Sequence, residues 1–257
     1  MVEIYVIGRS HFDANAFLRF LERRDEKWRR SDNVSSADEL VEAAGRVCYM
    51  SFGPRQSPRD NADYIAHLIE MGHESVLEHV SWTFLLAGVS RAFTHQLVRH
   101  RVGVAFSQLS QQYHDESGAT FVRPSLIDSS PHALSAWNRA LTAARRAYED
   151  ISRALETSGQ ADTLVSDKRE RQRAIRSAAR SILPNATETV IVMTANARAL
   201  RYFLTVRGGI VGDEEMRQVS AELVRRLQAE TPILFGDFKI DELPDGSPIV
   251  RRTELLK

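Results

Sequence analysis

The sequence predicts a single α+β domain over residues 1–257, rich in helix and with a small, mostly antiparallel sheet. Apolar residues spaced three and four apart indicate several helices, whereas only short segments are dense in β-branched and aromatic residues. Regular βαβ units, which build parallel sheets, are not indicated. A chain of 257 residues without repeats or a convincing internal boundary can bury one sizeable core.

In the first hundred residues, two short strands and four helices are predicted. The segment from Ser36 to Glu39 resembles a capping box. Pro58 and Gly72 are typical of the start and the end of a helix. The predicted elements are a strand over 2–7, helices over 12 to about 28, 36–47 and 58–72, a strand over 82–86, and a helix over 90–98.

The second half contains the clearest periodicity of the chain. Its apolar residues step by three and four at Leu134, Trp137, Leu141, Ala144, Tyr148, Ile151 and Leu155. This pattern predicts a long helix with a narrow apolar seam that packs antiparallel on the next helix, with a coiled-coil tail as the alternative. The predicted elements after it are a loop over 157–162, a basic helix including 168–176 whose charges mostly form a solvated face, a strand over 189–194, helices over 196–206 and about 216–227, and a peripheral polar tail from 241.

Composition limits the possible partners and compartment. Lys plus Arg and Asp plus Glu both number 34, so a net charge of zero gives no general attraction to nucleic acid or membrane. A single cysteine excludes an intramolecular disulfide framework and suits a reducing cytoplasm. No apolar leader or run of membrane-spanning length is visible in the sequence. We therefore expect a soluble cytoplasmic protein with no nucleic-acid or membrane partner.

The segment from Arg99 to Tyr113 is the most informative of the chain. It opens with Arg99, His100 and Arg101, where the apolar helical pattern has just ended. Two guanidiniums offer N–H donors in planar forks, which suit phosphates and the oxygens of flat heterocycles. The serine and glutamines that follow add neutral donors and acceptors of the kind that read a base edge or a sugar. An arbitrary Arg-x-Arg would more often be a solvated helix end.

Four blocks in register carry a family resemblance. One is Arg99-His100-Arg101 followed by Ser110, and the others are His73-Glu-Ser-Val-Leu-Glu-His79, Ala179-Arg-Ser-Ile-Leu-Pro184, and Asn196-Ala-Arg-Ala-Leu200 with Phe203, Leu204 and Arg207. Each block alone is weakly specific, but together, over about residues 43–220, they resemble the flavin-dependent thymidylate synthases.

The resemblance implies methylation of C5 of the uracil in a uridine 5'-monophosphate, dUMP by family default. It implies FAD as cofactor, NADPH as reductant and 5,10-methylenetetrahydrofolate as one-carbon donor. The protein then contributes positioning and electrostatics. The resemblance also implies a homotetramer with FAD between subunits. Because no glycine-rich loop follows a strand, we expect FAD to be held by side chains.

Cys48 is the only candidate for a covalent nucleophile, which would act by adding to C6 of the uracil. The usual position of a lone cysteine is as a small buried residue, here on a helix. Members of the family carry Ser or Cys at the matching place, so the resemblance implies no covalent role for Cys48.

The resemblance assigns a role to each motif residue. Arg207 is the catalytic candidate, a cation beside the uracil oxygens, although an arginine at a helix C-terminus also complements the helix dipole. The nucleotide-binding candidates are Gln96, Arg99, Gln108, Ser110, Gln111, Gln112, Arg180 and Arg207. The FAD-binding candidates are His73, Arg99, His100, Arg101, Asn196 and Arg198.

Two further assignments, a nucleophilic role for Ser110 and a zinc site at His73 and His79, are not supported by the sequence. Ser110 has no recognisable His-Asp pair to activate it, so binding is the better role than nucleophilic attack. His73 and His79 are six residues apart, whereas the helical zinc pattern needs histidines four apart, so no metal is expected.

Three departures from the family pattern bear on the substrate. Eight residues separate Arg101 from Ser110, Gln112 replaces a usual Arg, and Val211 stands where some members place a flavin-contacting histidine. Gln112 could contact a sugar hydroxyl, which predicts that UMP is accepted alongside dUMP. The first alternative is therefore a UMP or dual UMP/dUMP methylase of nucleoside-antibiotic synthesis. The second is a nucleotide- or RNA-binding module without chemistry, which neutral charge and the lack of aromatics among the arginines disfavour.

Overall fold

The computed structural model describes residues 2–159, 161, 163 and 166–253. The strands are β1 (Glu3–Arg9), β2 (Ser81–Ser90), β3 (Val104–Gln108), β4 (Glu188–Asn196), β5 (Phe238–Glu242) and β6 (Pro248–Arg252). The α-helices are α1 (Ala14–Glu22), α2 (Ser36–Tyr49), α3 (Asn61–Glu70), α4 (Arg91–Leu97), α5 (Pro131–Ser158), α6 (Lys168–Ala179), α7 (Ala197–Arg207), α8 (Glu214–Glu230) and α9 (Pro232–Phe235). Short 3-10 turns cover Gly53–Arg55, Glu74–His79, Ser125–Ser129 and Arg180–Ile182.

The larger sheet has the strand order β1-β2-β4-β3. Backbone hydrogen bonds join Ser10 with Ser81, Val80 with Ala197, Ala92 with Asn185, Gly103 with Asn196, and Leu109 with Val190. Within each neighbouring pair of strands, the residue numbers rise on one strand as they fall on the other, which is the antiparallel arrangement. Strands β5 and β6 form a separate antiparallel pair. The prediction of a helix-rich α+β fold with a small antiparallel sheet is thus confirmed.

The chain divides into two compact units. The first comprises Leu86–Arg99 and Ser107–Val192 with the N-terminal residues, and the second comprises Ile4–Leu85, His100–Phe106 and the chain from Met193. In the first unit, α5 packs on α6 and buries Tyr148 within the predicted seam. In the second unit, apolar residues of α8 line its buried face at helical spacing, from Met216 to Leu227. Whether the chain is one domain stays a prediction.

A buried polar network ties α2 to α3 in the second unit. The Glu42 carboxylate accepts hydrogen bonds from Trp28 Nε1 at 3.2 Å, Arg46 Nε at 2.6 Å and Asn61 Nδ2 at 2.7 Å. The Arg46 guanidinium also donates to the Pro58 carbonyl at 2.6 Å. The side chains of Glu42 and Arg46 are 1% and 0% exposed, so neither charge is hydrated and each is stabilised by the opposite charge of the other.

The helix starts are set by side-chain caps. Ser35, not Ser36, caps α2 by accepting from the Asp38 N–H at 3.1 Å, so the predicted capping box is displaced by one residue. Asp60 likewise caps α3, which begins at Asn61, three residues after Pro58. Helix α1 ends at Glu22 rather than near 28, because the chain reverses at Asp25, which has a left-handed φ of 54°.

Three strands, β3, β5 and β6, were missed by the sequence prediction. Strand β3 lies inside the segment predicted as a loop, where its five residues alternate between half-buried and exposed. The tail predicted as peripheral contains the β5–β6 hairpin, with Ile249 and Val250 buried. Gly246, with a φ of 78°, makes its turn possible. The predicted loop over 157–162 falls partly outside the described residues, and α5 continues through Ser158. No described helix combines the length and the apolar character that a membrane span requires.

Candidate functional site

His100 and Arg207 form a hydrogen-bonded pair in the second unit. Arg207 lies at the end of α7, and its Nε donates to His100 Nε2 at 3.1 Å. The His100 ring packs edge-on against Phe203, with centroids 5.2 Å apart. Because an accepting ring nitrogen carries no proton, His100 is the neutral tautomer protonated at Nδ1. Burial and the Arg207 charge lower the pKa of His100, which favours this neutral form. The structure therefore joins the catalytic candidate to an FAD candidate.

Asn196 connects the start of α7 to the turn before β3. Its side-chain oxygen caps the helix by accepting from the Ala199 N–H at 2.8 Å. Its own N–H donates to the Gly103 carbonyl at 3.0 Å. A Cβ added to Gly103, which has a φ of 70°, would lie 2.5 Å from Asn196 Nδ2. Glycine thus permits this close approach. The eight residues between Arg101 and Ser110 are divided between this turn and strand β3.

Arg198 contacts the His73 block. Its guanidinium lies 2.6 Å from the Glu78 carboxylate and 3.5 Å from that of Glu74. The hydrogen bond that Arg198 donates to Glu78, aided by the charges of both carboxylates, raises the pKa of Arg198, whose side chain stays exposed. His73 is also exposed, one residue before the turn that carries both glutamates. Two FAD candidates thus belong to one exposed polar cluster of the second unit.

The end of α7 is held by the C-terminal hairpin. Val250 N–H donates to the carbonyl of Gly208, the residue after Arg207, at 3.0 Å. The buried Arg217 guanidinium donates to the Pro248 carbonyl at 3.0 Å and to the carbonyl of Val211. The hairpin therefore holds the backbone at Gly208, whereas Arg217 of α8 holds it at Val211, whose side chain is 64% exposed.

Other nucleotide candidates lie in the first unit. Gln108 Nε2 donates to the Thr94 hydroxyl at 3.0 Å. The Ser110 hydroxyl accepts from the Gln112 N–H at 3.3 Å, so it shapes the turn that follows β3. Gln111 is 7% exposed, and its Nε2 has no hydrogen-bond partner within the described part of the chain. Gln96, on α4, is half-buried.

Helix α6 contacts the turn after Ser110. Gln112 Oε1 accepts from Arg173 Nε at 3.1 Å, and its Nε2 donates to the Ser177 hydroxyl at 3.3 Å. Arg176 donates to the Tyr113 carbonyl at 2.7 Å. Arg173 and Arg176 are half-buried, whereas Lys168 and Arg169 are exposed, so the predicted solvated face is only part of the basic surface of α6. The periodicity of α6 could not show this, since the contacted turn is distant in sequence.

Arg91 and Glu116 were missed by the sequence prediction. Arg91 donates to the Leu109 carbonyl at 2.9 Å, and its Nε has no partner among the described residues. Burial lowers the pKa of Arg91, the Glu116 charge opposes this, and the charge of Arg180 adds to it. Burial also raises the pKa of Glu116. The available signal was a cation in the first turn of α4, where the helix dipole disfavours positive charge.

The candidates divide between the two units. Arg99, exposed at the end of α4, is the one FAD candidate in the first unit, and Arg207 is the one nucleotide candidate in the second. Arg101 is exposed and Arg180 half-buried. Cys48 lies on α2 as predicted, but it is exposed rather than buried, because the last turn of the helix turns this side away from the core.

Comparisons with known proteins agree with one another. The family model described as "Thymidylate synthase complementing protein" matches residues 31–233. A protein of Mycolicibacterium gilvum named "Flavin-dependent thymidylate synthase" is 43% identical over 249 residues, or 96% of this chain and 94% of the relative. Proteins with the same name from Corynebacterium glutamicum and Mycobacteroides abscessus are 41% and 40% identical, over 87% and 90% of both chains.

Proposed function

The chain belongs to the flavin-dependent thymidylate synthase family of enzymes, and on that premise we propose that it converts dUMP to dTMP. The proposed one-carbon donor is 5,10-methylenetetrahydrofolate, with FAD as cofactor and NADPH as reductant. The contact between Arg207 and His100 is the observation that supports this proposal best. It joins the residue expected at the uracil oxygens to a residue expected at the flavin.

The residues present fit FAD. His73, Arg99 and Arg101 are exposed side chains that can donate to phosphate and to ring oxygens. Bound FAD would carry the electrons from NADPH and take part in moving the methylene group to C5. The exposed cluster around Arg198 supplies a further cation for the same group.

The chain's own residues orient the substrate and stabilise charge. Arg207, whose guanidinium plane is fixed by neutral His100, would stabilise negative charge on the uracil oxygens as C5 becomes electron-rich. Arg180, Ser110 and Gln111 would hold the phosphate and sugar. Arg91 joins this set in the proposal, because a half-buried guanidinium whose buried Nε lacks a partner among the described residues is suited to an anion.

The experiment that tests the function is tritium release from C5-labelled dUMP and UMP, assayed in parallel with FAD, NADPH and methylenetetrahydrofolate. Release from dUMP is the expected result. Release from UMP at a similar rate would instead support the alternative methylase. A yellow, flavin-loaded protein that releases tritium from neither substrate would contradict both proposals.

Cys48→Ala should leave turnover within about twofold of wild type, because the chemistry does not pass through a protein thiol. The exposed position of Cys48 also predicts little change in stability. Tritium release and thermal unfolding of the variant are the measurements. A variant that binds FAD and dUMP normally but releases no tritium would revive the covalent mechanism.

The protein should be a homotetramer in solution. The FAD candidates of the second unit are largely exposed, and apolar Val102, Tyr202 and Val211 beside them are 87%, 62% and 64% exposed. In the proposed tetramer, another chain covers these apolar side chains. Light scattering of the FAD-loaded protein measures the mass, and a monomer that binds FAD tightly would contradict the prediction.

A further inference from the structure

Gln112 is held by two side chains of one helix. Its carbonyl oxygen accepts from Arg173 Nε at 3.1 Å, and its amide nitrogen donates to the Ser177 hydroxyl at 3.3 Å. Arg173 and Ser177 are four residues apart on α6, so both lie on the face that meets the turn after Ser110. Both polar atoms of the amide are thus engaged within the protein.

We propose that Arg173 supplies the positive charge for the nucleotide phosphate, and that Gln112 is the positioning residue that orients it. This inference rests on the proposed function, which places the phosphate near Ser110 and Arg180. It assigns to α6 the charge that the family's usual arginine provides at the place of Gln112.

The Arg173 guanidinium is hydrogen-bonded at Nε, while its terminal Nη2 is available to a ligand. Nε is bound by Gln112, and the guanidinium carbon lies 5.4 Å from the centroid of the Tyr113 ring. Its Nη1 lies 3.3 Å from the Glu170 carboxylate, an exposed pair of a kind that contributes little. Within the described residues, Nη2 makes no hydrogen bond. An orientation fixed at Nε therefore leaves a terminal donor to contact a phosphate oxygen.

A neutral residue at position 112 suits the presence of Arg173. An arginine at 112 would bring a second guanidinium to a place where a side-chain atom now lies 3.1 Å from Arg173 Nε. Two like charges so close are unfavourable. The amide oxygen of glutamine replaces that repulsion with an accepted hydrogen bond. Gln112 and Arg173 therefore act as a matched pair.

The remaining arginines on this side of α6 have different contacts. Arg176 follows Arg173 by one turn, and it is held by the Tyr113 carbonyl at 2.7 Å. Arg180 follows at the C-terminal end of the helix, where the dipole favours a cation. The charges of Arg173 and Arg180 thus lie seven residues apart, Arg173 within α6 and Arg180 directly after it, and the Gln112 turn contacts the helix at Arg173 and Ser177.

Isothermal titration of the FAD-loaded protein with dUMP and with deoxyuridine, which lacks the phosphate, tests the inference. The variants are Arg173→Gln, Gln112→Ala and the exchange Gln112→Arg with Arg173→Gln. Arg169→Gln is the matched control, since Arg169 is an exposed arginine of the same helix. Arg173→Gln should weaken dUMP binding by about tenfold to a hundredfold, the usual range for a charge-assisted hydrogen bond.

A positioning role for Gln112 predicts a distinct pattern of changes in KM, kcat and dUMP affinity. Gln112→Ala should raise KM for dUMP with kcat nearly unchanged, and it should have little further effect when Arg173 is already Gln. The exchange variant should recover most of the lost dUMP affinity. Deoxyuridine binding and the Arg169→Gln control should stay within about twofold of wild type.

Different results would overturn the pairing of Gln112 with Arg173 and the proposed function. Equal losses for dUMP and deoxyuridine, additive effects of Gln112→Ala and Arg173→Gln, or an exchange variant no tighter than Arg173→Gln would overturn the pairing while leaving the proposed function intact. If the wild-type protein binds FAD but not dUMP, both the pairing and the proposed function are overturned.

Discussion

Arg207→Ala should lower kcat by on the order of a hundredfold or more, the usual cost of removing one donor aimed at developing charge. Arg207 contributes most as C5 becomes electron-rich, so the loss should appear in kcat more than in KM. Single-turnover tritium release with saturating dUMP measures this step. Arg207→Lys should be intermediate, because it keeps a charge but loses the planar fork.

The control for Arg207 is Arg226→Ala on the exposed face of α8, where the arginine pairs with Glu222 at 2.8 Å. That variant should keep wild-type turnover, since exposed ion pairs contribute little. An Arg207→Ala enzyme with unchanged kcat and a raised KM would reassign Arg207 to binding in the ground state.

Glu42→Gln should destabilise the protein by about 3–5 kcal/mol, the range for breaking a buried ion pair on one side. The substitution keeps the size of the side chain but removes the charge that compensates Arg46. It also turns an amide nitrogen toward one of the present donors, Trp28, Arg46 or Asn61. Urea unfolding followed by circular dichroism gives the free energy of unfolding and the midpoint.

Glu39→Gln is the matched control on the same helix. Glu39 pairs at 2.7 Å with Arg30, and the two side chains are 12% and 42% exposed, so this pair is less buried than that of Glu42 and Arg46 and its loss should cost less, about 1 kcal/mol. Equal losses of stability in the two variants would show that burial does not distinguish the pairs and would contradict the argument.

Secondary structure was predicted most accurately where one hydrophobic periodicity continues over many residues. The seam from Leu134 to Leu155 predicted α5, and β-branched runs predicted β2 and β4. Strand β3 was hidden because five residues of weak alternation carry little signal beside the charged motif that precedes them. The hairpin was also missed, although Asp245 and Gly246 are typical turn residues.

Candidate residues could be selected from motifs, but their pairings could not. Arg207 and His100 are separated by 107 residues, and Gln112 and Arg173 by 61. Such contacts depend on how helices pack, which local patterns do not report. For the same reason, the sequence prediction left Gln112 able to contact a sugar hydroxyl. In the structure, both polar atoms of its amide are hydrogen-bonded to side chains of α6.

The anchoring of Gly208 by Val250 has a consequence for how this protein can change during evolution. A Cβ at position 208 would lie 2.7 Å from the Val250 Cβ and 2.7 Å from the backbone oxygen of Leu204, so a smaller residue at 250 would relieve only one of the two contacts. Position 208 should therefore stay glycine among relatives, whichever residue occupies position 250. Because Val250 lies beyond residues 31–233, the segment matched by the family model, lineages with a different C-terminal segment need another way to secure the end of α7.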